Sequence, residues 1–184
     1  MKRIKQRAVF FDRDGTLIED AGFLRAVTEV SFYPQTFPAL RRLGAFVLFI
    51  VTNQSGIAKG DISIEEARTV NDYIVRCLGE AGIPIRAVYC CPHQRTDECE
   101  CIKPKPYFPK RAEREHEIDL RRSFVVGDHP SDVELADAVG AKGIYILTGH
   151  GVKHRGELQT PAPVVADIGA AVDLILDECI GMRR

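Results

Sequence analysis

No stretch of this sequence is apolar for long enough to suggest a membrane span. The longest such run, Phe46-Val47-Leu48-Phe49-Ile50-Val51, falls far short of the roughly 20 residues that cross a bilayer. Charge of one sign is missing as well: 25 Lys and Arg stand against 26 Asp and Glu, a formal net charge of −1. A global basic field for nucleic acid or an anionic membrane is therefore excluded, and any anion must be bound locally. Internal repeats, low-complexity tracts and linkers are also absent, which argues against a solenoid or a divided chain. The basic opening at residues 1–7 runs straight into an apolar strand with no small-residue cleavage site, so a cytoplasmic protein is expected.

What is present is an ordinary globular composition, with 45% hydrophobic and 28% charged residues, 15 Gly and 10 Pro. At 184 residues the chain has the size of one domain, and a single core of that length buries roughly 70% of the unfolded surface. One domain over residues 1–184 is expected. Of the six cysteines, Cys90, Cys91, Cys99 and Cys101 crowd together while Cys77 and Cys179 sit apart. That clustering points to a metal site rather than a disulfide framework.

Short runs rich in Val, Ile and Phe alternate with helix-period stretches, the pattern of a parallel sheet covered by helices. Strands are expected at 8–11, 46–51, 87–90, 124–126, 143–147 and 164–165, and helices at 36–43, 63–81, 106–116, 131–139 and 168–179. The second helix is the clearest, since Ser63 and Glu66 form a capping box and Gly82 stops it. The fold class is thus α/β, a Rossmann-like three-layer α/β/α arrangement on a mainly parallel sheet. The spacing from Asp14 to Thr52 and from Gly56 to Lys103 leaves no room for a large cap domain.

The residues of chemical interest follow expected strands, where open α/β sheets place their sites. The first strand ends Phe11-Asp12-Arg13-Asp14-Gly15-Thr16. Residues i and i+2 of an extended chain share a side, so Asp12 and Asp14 project together while Gly15 permits a turn. Adjacent carboxylates repel unless they share a proton or cation, and Mg²⁺ is suited to such hard oxygen ligands. The second strand ends Thr52-Asn53-Gln54-Ser55-Gly56, a hydroxyl beside a turn of N–H groups that can cradle phosphate. Gly127-Asp128-His129-Pro130-Ser131-Asp132 brings a further pair, with Asp128 read as another metal ligand and Asp132 as a residue suited to a helix N-terminus.

A second constellation is Cys91-Pro92-His93 followed by Cys99-Glu100-Cys101. Each close pair can present both ligands on one side of a short segment, and the intervening residues suffice to turn the chain back. Cys91, His93, Cys99 and Cys101 would make a closed tetrahedral Zn²⁺ site, structural because it leaves no place for substrate. Cys90 is the spare, expected to face the core. Lys103 lies just beyond, so a metal knot at 91–101 would fix the backbone that carries it.

Taken in order, Asp-x-Asp-Gly-Thr, Thr-Asn, a Lys and Gly-Asp-x3-Asp resemble the four motifs of the haloacid dehalogenase-like phosphatases, over residues 8 to 147. The resemblance implies that Asp12 attacks phosphorus to form an aspartyl-phosphate, and that Asp14 protonates the leaving oxygen and then activates water. It implies that Thr52 and Lys103 hold phosphoryl oxygens, and that Asp12, the main-chain carbonyl of Asp14, and Asp128 bind Mg²⁺. A flap beginning at Asp20-Ala21-Gly22-Phe23 would line the leaving group. Asp20, Gly22, Asn53, Gln54, Ser55 and His129 are then the expected substrate-binding residues.

The cysteine loop resembles that of the family's zinc-bearing branches, one acting on a heptose bisphosphate and the other on histidinol phosphate. The run from Thr52 to Gly60 resembles the heptose branch, which makes removal of the 7-phosphate from a sugar bisphosphate the leading expectation. A small phosphorylated metabolite is the expected partner, with neither nucleic acid nor membrane. Ile102 departs from the pattern, because both branches usually carry arginine there; Lys59, Lys105 or Lys153-His154-Arg155 are candidates to replace its positive charge. His129 stands where the heptose branch tends to have lysine. A phosphoacceptor signalling module, which also joins acidic residues, a Thr and a Lys on a parallel sheet, is the reading from another class.

Overall fold

The computed structural model describes residues 5–181; residues 1–4 of the basic opening and 182–184 at the end lie outside the described residues. In chain order the elements are β1 (Ala8–Phe11), α1 (Thr36–Arg41), β2 (Val47–Asn53), α2 (Gly56–Lys59), α3 (Ile64–Glu80), β3 (Ile85–Cys91) and α4 (Tyr107–His116). There follow β4 (Phe124–Gly127), α5 (Pro130–Val139), β5 (Lys142–Ile146), α6 (Gly151–His154), β6 (Val164–Val165) and α7 (Ile168–Gly181).

All six strands are parallel in the order β3-β2-β1-β4-β5-β6. The chain winds outward from β1 through β2 and β3, then returns to the other side of β1 to begin β4. The carboxyl ends of β1, β2 and β4 therefore meet at the point where the winding reverses, the crevice in which sheets of this kind place their ligands.

Strand alternation builds the layers. Val9 and Phe11 of β1 face one way, packing with Leu40 of α1, Ile74 of α3 and Val172 of α7. Ala8 and Phe10 face the other, packing with Phe108 of α4 and Leu135 of α5. Burial on both faces explains why the strands read as unbroken apolar runs rather than alternating ones.

The expected elements are all present, β1 and β6 with the expected bounds and the others with shifted ends. β2 runs on through Thr52 and Asn53 because β3 offers Cys90 and Cys91 as partners. α1 ends at Arg41, since the N–H groups of Arg42, Leu43 and Phe46 bond to carbonyls three residues back in tight turns. The four-residue helices α2 and α6 were not expected. Between β1 and α1 the chain forms a small flap rather than a cap: Ile18 bridges Phe32, and the Glu19 N–H donates to the Ser31 carbonyl. No helix among the described residues is long and apolar enough to cross a membrane.

Candidate active site

Asp12 directly follows β1, and its N–H donates to the Val126 carbonyl of β4 at 2.9 Å, which pins it at the reversal point. Gly15 then turns the chain at φ 77°. A Cβ at Gly15 would collide with the Asp128 carboxylate, so glycine alone lets this turn pack against the end of β4. Asp128 in turn accepts a hydrogen bond from the His150 N–H at 2.7 Å, in the loop after β5.

Lys103 is the hub of the cluster. Its Nζ donates to Asp12 Oδ1 at 2.5 Å and to Asp132 Oδ1 at 2.7 Å, and its own N–H donates to Asn53 Oδ1 at 3.1 Å. Burial opposes charge on this lysine, yet Asp12 and Asp132 together hold its pKa above the ordinary lysine value. Burial likewise raises Asp12 well above the usual carboxylate range; Lys103 pulls the other way, while Asp132, Asp128 and Asp14 add to the rise. Asp128 is pushed up to about 7, by burial first and by Asp132 second.

Oxygens of Asp12, Asp128 and Asp132 lie within 4.8 Å of one another, all buried. Charges this close and this dry need a counter-ion. Lys103 supplies one positive charge, and a hard divalent cation between Asp12 and Asp128 fits the remainder. Asp132 does more than sit at a helix start. One oxygen accepts from the His129 N–H in a capping box and the other grips Lys103.

Asp12, Lys103 and Asp128 line a cavity of about 460 Å³, with Asp132 buried behind Lys103. Of the expected residues, Asp12, Asp14, Thr52, Lys103 and Asp128 line it, as do Asp20, Asn53, Ser55 and His129. Two do not. Gln54 is buried and donates through Nε2 to Asp14 Oδ2 and to Thr52 Oγ1, each at 2.8 Å. Gly22 gives its N–H to Asp20 Oδ1 at 2.8 Å and shapes the flap turn instead. Burial lowers the pKa of His129, whose ring caps α5 through the Ser131 N–H.

Arg95, Thr96, Ser131 and His150 also line the cavity and were missed. His150 was findable, because it closely follows β5 at its carboxyl end; its Nε2 meets Asp20 Oδ2 of the flap at 2.8 Å. Among the proposed substitutes for arginine at position 102, Lys59 lines this cavity and Lys105 a neighbouring one, where its Nζ bonds the Cys99 carbonyl. Lys153 and Arg155 line neither, and His154 pairs with Glu157.

The four donors of the cysteine loop come together. Cys91 Sγ lies 3.1 Å from Cys101 Sγ and 3.8 Å from Cys99 Sγ, while His93 Nδ1 lies 3.7 Å from Cys91 Sγ and 3.4 Å from Cys101 Sγ. A tetrahedron with Zn–S bonds of about 2.3 Å has edges of about 3.8 Å, so the donor set suits zinc. Burial raises the Cys91 and Cys101 thiols; it acts on Cys99 too, but the N–H groups of Ile102 and Cys101 outweigh it and favour a thiolate. Cys90 stays outside the cluster. It is half-buried and meets Asn71 of α3 rather than joining either core layer.

A family model described as HAD-hydrolase-like matches residues 100–171. The chain is 32% identical to the D-glycero-beta-D-manno-heptose-1,7-bisphosphate 7-phosphatase of Pasteurella multocida, over 84% of this chain and 89% of that protein. It is 34% identical to the protein of the same name from Yersinia pestis, over 82% and 85%. Among solved structures, the D,D-heptose 1,7-bisphosphate phosphatase of B. bronchiseptica, complexed with magnesium and phosphate, superposes with a TM-score of 0.87 at 29% identity, covering 94% of this chain and 99% of that one.

Proposed function

The chain belongs to the haloacid dehalogenase-like hydrolase family of these heptose-bisphosphate phosphatases, and we propose that it hydrolyses the 7-phosphate of D-glycero-D-manno-heptose 1,7-bisphosphate. The observation that carries this reading is the hub at Lys103, which lines the cavity with Asp12 and joins that first carboxylate after β1 to Asp132 on the helix that follows β4. Phosphoryl transfer needs a nucleophile held in line and dispersed charge on the equatorial oxygens, and these residues are arranged for both.

In this reading Asp12 is the nucleophile and Asp14 the acid and then the base. Thr52 and Lys103 hold phosphoryl oxygens, which adds positive charge where negative charge concentrates. Asp12, Asp128 and the Asp14 carbonyl would hold Mg²⁺, which when bound screens the phosphoryl charge from the attacking carboxylate. Cys91, His93, Cys99 and Cys101 would hold a structural Zn²⁺. Asp20, Asn53, Ser55 and His129 contact the sugar, while Gln54 acts through Asp14 and Thr52 and Gly22 through the turn of the flap.

Ile102 removes a bidentate donor from the wall, so the phosphate that stays on the sugar needs other cations. Arg95 and Lys59, both lining the cavity, supply them. A phosphate-release screen with Mg²⁺ over both anomers of the heptose bisphosphate, histidinol phosphate and simple phosphomonoesters tests the assignment. The highest kcat/KM is expected for a heptose bisphosphate. A preference for histidinol phosphate would transfer the chain to that substrate, and release stopping near one equivalent would indicate a phosphoacceptor module.

A further inference from the structure

Arg13 is the largest fully buried side chain among the described residues, at 1% exposure, and it stands between the two aspartates that follow β1. Burying a guanidinium is costly, and an apolar side chain of similar volume is often as stabilising. Its contacts point to another purpose. Nε and Nη2 grip Asp14 Oδ2 and Oδ1, each at 2.9 Å, and Nη1 donates to Asn71 Oδ1 of α3 at 2.8 Å. Asp14 Oδ2 also accepts from Gln54 Nε2 at 2.8 Å and lies 3.4 Å from Thr52 Oγ1. One oxygen therefore takes three donors. Oδ1 takes the Arg13 bond and is the less encumbered oxygen of a carboxylate that lines the cavity.

We propose that Arg13, anchored by Asn71, is a positioning residue that locks the Asp14 carboxylate so that Oδ1 is the oxygen through which protons pass. The proposal rests on the phosphatase reading. As the Asp12 oxygen bonds to phosphorus, the bond from phosphorus to the sugar oxygen breaks, and that oxygen keeps the electron pair and takes the proton from Asp14 Oδ1. A water oxygen then bonds to phosphorus and gives its proton to the same Oδ1. The Asp12–phosphorus bond breaks, and both carboxyl groups return to their starting states. A fixed fork of donors on Asp14 sets the direction of both transfers without touching the substrate.

Two leaving groups test this, compared through kcat/KM, which reports the first phosphoryl transfer. A sugar alkoxide needs its proton in the transition state, whereas 4-nitrophenolate leaves without one. Arg13→Lys keeps the charge but loses the fork, and Asn71→Ala keeps Arg13 but removes its anchor and changes no charge, so it remains readable if Arg13→Lys does not fold. With rates counted per folded molecule by circular dichroism, each variant is expected to lose at least about tenfold more kcat/KM on the heptose bisphosphate than on 4-nitrophenyl phosphate, within the roughly 10²–10⁴ that general acid catalysis contributes. Equal losses on the two substrates, or none, would overturn the proposal while leaving the phosphatase reading standing. A wild-type protein that releases phosphate from neither substrate would sink both.

Discussion

Asp12 concentrates the conflict between stability and chemistry in this site. It is buried, its pKa is raised, and its nearest positive charge, Lys103, is shared with Asp132. Asp12→Asn should therefore fold, because Lys103 keeps Asp132 as its counter-ion and one of several crowded charges is gone. In metal-free protein at neutral pH its thermal midpoint is expected to equal or exceed that of the wild type. The sign follows from linkage: a carboxyl whose pKa rises on folding destabilises the fold once pH exceeds its unfolded value. Turnover should vanish, since an amide cannot act as the nucleophile. Phosphate release within about tenfold of wild type, with deamidation excluded by mass, would remove Asp12 from the nucleophile's role. Asp12, Asp14, Thr52, Lys103 and Asp128 were legible as residues because each follows an apolar strand or the cysteine loop. Arg13 was not, since a charged residue between two aspartates reads as solvated until the fold buries it. Asp132 was half legible: the capping role shows in local sequence, but the grip on Lys103 joins segments that only the sheet brings together.

Elements were legible in proportion to their length. α3 carries its period and its capping box on its face, and the structure forms that box in both directions, with the Glu66 N–H on Ser63 Oγ at 3.1 Å and the Ser63 N–H on Glu66 Oε2 at 2.7 Å. α2 and α6, at four residues each, are too short to show any period. The cysteine loop is the element with the widest reach. The Cys91 carbonyl accepts from the Gln54 N–H at 2.7 Å and the Pro92 carbonyl from the Ala58 N–H at 3.1 Å, while Lys103 follows closely after Cys101. This loop thus ties both the turn after β2 and the lysine hub. Cys99→Ser should lower zinc content and also slow turnover per folded molecule, approaching the defect of Lys103→Ala, because a displaced charge at a phosphoryl site costs several kcal/mol by analogy with oxyanion donors, roughly 3. Zinc content, folded fraction and turnover measured on one sample decide it. Normal turnover in zinc-free folded protein would leave the loop a stabilising element and nothing more.

At the scale of the whole molecule, strand order does most of the functional work. Placing β1 between β2 and β4 gathers residues far apart in sequence at one crevice, and the small flap with Asp20 and the loop with His150 meet across its mouth. The alternation of strands and helices made the three-layer class legible, and the absence of space for a cap followed from spacing alone. Which walls line the cavity did not follow, because Arg95 and His150 lie on loops, after β3 and after β5, that carry no period of their own. At this scale the expected outcome is that the cavity takes a sugar carrying two phosphates and that the one at carbon 7 is released. Phosphorus NMR of D-glycero-D-manno-heptose 1,7-bisphosphate incubated with the zinc-loaded protein and Mg²⁺ tests it most directly. The carbon-7 phosphate signal should disappear as inorganic phosphate grows, with the carbon-1 signal retained; loss of the carbon-1 phosphate first, or no change in either signal, would contradict the account.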